Sequence, residues 1–152
     1  KYGIEVPPPP PNIIEKLNEI LPSYWSRGNP IDTVASIDQS VDSKIIDAIE
    51  DWDVGGVIIQ GGIDAYAKRF VGPPWRKVFE NSILIPYIKK IIELSKRGKT
   101  VFGVAFKPLD RSKPIKLFRK NKIPIYFIPE EAVKAYSKLI EYKSVKETKE
   151  KP

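Results

Sequence analysis

The stretch VGGVIIQGGIDAYAKRF, Val54–Phe70, decides the fold. A short apolar, β-branched run breaks at Gly61-Gly62, and Ile63, Tyr66, Ala67 and Phe70 follow at helical spacing. The change of period across two glycines predicts a buried strand at 54–60 turning sharply into a short helix at 63–70. Glycines at such a turn let the backbone come close to a ligand, and a helix start presents unpaired N–H groups. A phosphate cradle at Gly61, Gly62, Ile63 and Asp64 and a plain strand-to-helix turn both fit this pattern. Asp64 at the helix start disfavours an anion there.

Outward from this stretch the chain alternates. Residues 2–6 (YGIEV) read as a short strand, stopped by the prolines at 7–11. Asn12 is expected to cap a helix carrying Ile13, Ile14, Leu17, Ile20 and Leu21 on one stripe, ended by Pro22. A short strand is predicted at 31–35. Ser36 and Gln39 have capping-box spacing, ahead of a helix with Val41, Ile45, Ile46 and Ile49 inward. Val71–Val78 (VGPPWRKV) predicts a break, and a long helix follows at about 81–97, kinked or started at Pro86 and closed by Gly98. Residues 100–106 read as a strand, 114–121 as a helix and 123–127 as the last strand. Pro129 begins the final helix, with Glu130 and Glu131 in its first turn.

Apolar strands between helices mean a parallel sheet covered on both faces. The expected class is α/β, Rossmann-like or flavodoxin-like, with three α/β/α layers and a mostly parallel sheet. Ligands in such sheets sit beyond the carboxyl ends of the strands. That edge holds Gly61-Gly62, Lys107-Pro108, Ile128-Pro129 and the segment after Ile31-Asp32. The expected organisation is a Pro-rich segment at 1–11, one domain at 12–142 and a polar, fraying tail at 143–152.

The 152 residues are enough for one domain with a real core. Lacking Cys and His, the chain has no thiolate nucleophile, no Ser-His-Asp machinery and no imidazole or cysteine metal site. No metal site and no catalytic residue is expected. A start at Lys1 without any methionine fits a piece of something longer. With no export signal and no apolar run approaching the ~18–20 residues of a membrane span, a cytoplasmic location is expected and no membrane partner. Abundant Lys, Ile and Pro hint at a thermophile. The net charge of +7 fits either acidic partners or a Lys-rich solvated surface.

Three segments, in order and in register, carry a resemblance. LPSYWSRGNPID, Leu21–Asp32, resembles the L-P-x-x-x-S-x-x-N-P-x-D segment of ADP-forming (NDP-forming) acyl-CoA synthetases of the acetate–CoA ligase type. KIPIYFIPEEAVKAYSKLIEY, Lys122–Tyr142, is similar to the G-I-P-V-Y-x-x-P-E-x-A-V-x-A-L segment closing the same domain, with Lys122 in place of the glycine. VGGVIIQGGI is similar to the strand and glycine turn in the carboxy-terminal domain of the succinyl-CoA synthetase β chain. The resemblance implies conversion of acyl-CoA, ADP and phosphate into acid, CoA and ATP, through an acyl phosphate and a phosphohistidine. It also implies that the histidine, the CoA-binding domain and the ATP-grasp subunit lie on other segments. CoA and ATP or ADP with Mg would then bind only in the assembled, oligomeric enzyme, and this chain alone would hold no cofactor. Gly61, Gly62, Ile63 and Asp64 would form one of the helix starts holding the phosphoryl group, while Asn29 and Asp32 would order the neighbouring turn.

Alternatives stand beside each of these. Asn29 and Asp32 also fit turn and cap chemistry. Lys107 and Arg111, at the ligand edge, head a basic run that is either a solvated face or a landing surface for CoA phosphates or an acidic partner. Trp25, Trp52 and Trp75 read as core or contact anchors, with Trp75 the one expected to be exposed. Aromatic-and-basic interleaving of the RNA-binding kind is missing, so no nucleic-acid partner is expected. A non-catalytic interaction or regulatory module that kept the fold remains the second reading.

Overall fold

In the computed structural model, which describes residues 2–33, 40–63, 71–106 and 112–149, a parallel sheet is built from β1 (Gly56–Gln60), β2 (Thr100–Val104) and β3 (Ile125–Tyr126) in that order. Gly56 pairs with Thr100 and Gln60 with Val104, and β3 joins β2 at Gly103–Ile125. Around it stand α1 (Pro11–Asn18), α2 (Val41–Ala48), α3 (Arg76–Phe79), α4 (Ile85–Lys96), α5 (Lys113–Lys120) and α6 (Pro129–Lys149). The chain is mixed α/β.

Alternation along β2 explains how helices cover both its faces. Val101 and Ala105 join the main core with α1, α2, α4 and α5. Phe102 and Val104 face the other way, onto Ala132, Tyr136 and Leu139 of α6. Ile88 and Ile91 of α4 are fully buried, each stabilising by roughly 1.5–3 kcal/mol. Gly103 has no side chain because Ile63 fills that space: a β-carbon there would lie 2.8 Å from Ile63 Cδ1.

Several boundaries depart from expectation. Residues 2–6 form no strand; the segment is tied to α6 by the Tyr2 hydroxyl, which donates to Glu130, and by Ser137 Oγ, which donates to the Tyr2 carbonyl at 2.6 Å. Helix α1 starts at Pro11 without a side-chain cap, so Asn12 is not its N-cap. Proline at the first position already has a helical φ and lacks only an N–H that the helix would not use. Of the strand expected at 31–35, residues 31–33 take no strand conformation and the rest lies outside the described residues, as do Ser36, Gln39 and all but Ile63 of the helix expected at 63–70. The last strand shortens to two residues because Ile123 N–H turns back to the Phe118 carbonyl, closing α5.

The break expected at Val71–Val78 is confined to Val71 and Gly72. A 3₁₀ turn at Pro73–Trp75 runs into α3, then a π-helical turn at Glu80–Leu84, then α4. The wide turn is closed by Ile85 N–H donating to the Glu80 carbonyl, and it brings Phe79 and Leu84 both to the core. Gly98, at φ +100°, ends α4 as expected. The segment from Lys143 is not a frayed tail: α6 continues to Lys149, since Lys and Glu are good helix formers and Lys138 pairs with Glu141 on its surface.

Candidate functional site

Gly61 and Gly62 follow β1 directly, at the carboxyl end of the sheet, and both adopt left-handed backbone, φ +76° and +65°. The Gly61 N–H donates to the Val104 carbonyl at 3.1 Å and extends the ladder by one bond. That amide is not available to a ligand. A β-carbon on Gly61 would meet Phe106 Cε2 at 3.0 Å. One on Gly62 would lie 3.1 Å from Asp42 Oδ2 and 3.5 Å from Tyr87 Cε1. Ile63 is fully buried and packs over Gly103, so its side chain anchors the turn in the core. Asp64, Lys107 and Arg111 lie outside the described residues.

The turn opens on a cleft of about 780 Å³ that runs along the edge of β1 away from β2. Residues 4–6, Asn29, Pro30, Ile31 and Thr33 line it together with β1, as do the apolar Ile45, Ile46 and Trp52 and, from α6, Val133 and Tyr136. Asn29 and the two glycines therefore share one cleft. Asn29 Nδ2 donates to the Pro7 carbonyl at 2.9 Å, so this side chain joins the 29–33 segment to the proline run instead of bonding its own turn. Asp32 is exposed and does not line the cleft. Trp25 and Trp52 are buried; Trp75 is 65% exposed, as expected.

Two residues that the motifs did not single out supply the polar end of this cleft. Asp42 is in the first turn of α2, half-buried, and burial pushes its carboxyl above the ordinary 3.8. Tyr87, on α4, is buried, and this burial together with the Asp42 carboxylate holds its hydroxyl far above the usual phenol range. Neither side chain makes a hydrogen bond with a described residue. A sequence signal existed for Asp42: with Ile45, Ile46 and Ile49 it forms an i, i+3, i+4, i+7 set, a carboxylate heading an inward apolar stripe.

Among the described residues no cluster of three or more His, Cys, Asp or Glu could hold a metal, and no helix is long and apolar enough to cross a membrane. Compared with known protein families, curated proteins and solved structures, the chain matches none.

Proposed function

We propose that the chain is a module of an ADP-forming acyl-CoA synthetase assembly, interconverting acyl-CoA, ADP and phosphate with acid, CoA and ATP, in which it reacts with nothing itself. The observation that carries this reading is the Gly61-Gly62 turn: two left-handed glycines at the carboxyl end of a parallel strand, between two further segments that resemble the family in the same order. In this reading the sheet belongs to a larger three-layer, flavodoxin-like unit. The turn borders a phosphoryl group carried by a histidine of another segment, and Lys107 and Arg111 face CoA phosphates or a partner subunit. The CoA-binding domain and the ATP-grasp subunit are its partners in a cytoplasmic oligomer.

The test is reconstitution with a histidine-bearing CoA-binding subunit and an ATP-grasp subunit of this family. Formation of ATP from acyl-CoA, ADP and phosphate should require the chain, and labelled ATP should leave the isolated chain unphosphorylated. Turnover that is indifferent to the chain, or a stable phosphoprotein formed on it, would overturn the reading.

A second reading, a non-catalytic regulatory module of the same fold, is favoured by Asp42. A carboxylate beside Gly62 repels a phosphoryl dianion, and the Gly61 amide is already used in the sheet.

A further inference from the structure

The chain as a whole is basic, with 26 Lys and Arg against 19 Asp and Glu. The cleft beside the glycine turn reverses that balance among the described residues. The charged residues that line it, among those described, are Asp42 and Glu5, and no Lys or Arg joins them. Glu5 is exposed on the rim, whereas Asp42 sits inside, against Gly62.

Two further observations point to a ligand. The Tyr87 hydroxyl is buried at the same place, 6% of the residue being exposed, and it has no hydrogen-bond partner among the described residues. A buried hydroxyl left unpaired costs free energy, and native proteins keep such groups where something else completes them. The walls beyond this polar end are mostly apolar, Ile45, Ile46, Ile49, Trp52 and Val57 among them, with Asn29, Thr33, Gln60 and Tyr136 as further polar groups. A volume of about 780 Å³ matches that of sites for small organic molecules, which are mostly apolar with a few convergent polar groups.

We infer that the cleft binds a small organic cation, a primary ammonium on an apolar body, with the ammonium between Asp42 and Tyr87 and the body along α2 and β1. An ammonium brings three donors and a positive charge. One donor meets the Asp42 carboxylate, and another meets the lone pairs of the Tyr87 oxygen. The charge pair is partly desolvated, so it is stronger than one on the surface. A carboxylate or phosphate head would meet Asp42 at the same spot with the opposite sign. The inference rests on the regulatory reading above, in which this ligand would be the signal, and it sets the chemical class of that signal apart from the phosphate and CoA of the ligase reaction.

The probes are n-octylammonium, octanoate and 1-octanol, three ligands with the same tail and different heads. Each is titrated by calorimetry into the 152-residue chain at neutral pH, with backbone amide shifts recorded in parallel. Octylammonium should bind at least tenfold tighter than octanoate, with shifts at Gly61, Gly62 and the Trp52 indole. Asp42→Asn should weaken octylammonium about tenfold and leave 1-octanol unchanged, which also shows that the variant is folded. Tyr87→Phe should weaken octylammonium severalfold. Octanoate binding as tightly as octylammonium, shifts away from the glycine turn, an Asp42→Asn variant that keeps the preference, or no binding of any probe would each overturn the assignment. Octylammonium bound at the turn with no effect on the turnover of a reconstituted ligase would sink the regulatory reading alone.

Discussion

Asp42 Oδ2 lies 3.1 Å from the position that a β-carbon on Gly62 would occupy, so a residue early in α2 and the turn after β1 limit each other. Gly62 also has a φ of +65°, which an L side chain rarely adopts. Gly62→Ala and Gly62→Val should therefore destabilise the fold, by roughly 1–3 kcal/mol from the backbone alone. Urea denaturation would measure this, and Asp42→Ala in the same chain should recover part of the loss. An equally stable Gly62→Val protein would show that the turn is free to rearrange.

Removing the Tyr87 hydroxyl should not harm the fold. Tyr87→Phe keeps the ring in the core and deletes a buried polar group that no described residue satisfies. Stability should stay level or rise by about 1 kcal/mol. A clear loss in denaturant midpoint at constant m would mean that the hydroxyl has a protein partner.

Stability should carry a pH signature from Asp42. Burial raises its folded pKa above the ordinary 3.8, so the folded chain holds that proton more tightly than the unfolded one. Its contribution is full below about 3.8 and is lost as pH rises through the folded value. Asp42→Asn should flatten this descending limb just above the ordinary carboxylate range and raise stability at neutral pH. Melting temperatures of both proteins across pH 3 to 7, roughly the range in which a moderately raised carboxyl titrates, would show it. Identical slopes would remove Asp42 as the source.

Gly56 opens β1 against its neighbour. A β-carbon there would come within 2.5 Å of the Thr100 carbonyl oxygen and 2.9 Å of Tyr136 Oη. Backbone cannot yield as a side-chain tip can, so Gly56→Ala should destabilise by about 1–3 kcal/mol. Amide exchange at Thr100–Val104 should quicken in the variant, because the β1–β2 pairing is what the new methyl pushes apart.

Much of this framework is readable in the residues. The apolar run at Val57–Ile59, the inward stripe Ile45, Ile46, Ile49 and the Gly98 cap each follow from period and turn chemistry, and each is where the pattern puts it. Residues 2–6 misled because an apolar, alternating pentapeptide fits a strand, yet pairing depends on a neighbour that no local pattern reveals. Tyr2 binds Glu130 instead, at a separation of 128 residues. The cleft was half legible. Its glycines announced themselves, while the meeting of Asp42 with Tyr87 requires two helices to be packed before it exists.

The wide turn at Glu80–Leu84 resets the phase of the helix that contains it. Phe79 and Leu84 are five positions apart, and in an unbroken α-helix that spacing would set them roughly 140° apart. Both nevertheless face the core, because the turn absorbs one residue more than a regular helix allows. The segment behaves as a tolerated insertion whose phase error is confined to one turn. A single deletion within Asn81–Ile83 should thus be repaired by reversion to ordinary helix, leaving the downstream stripe of α4 in register.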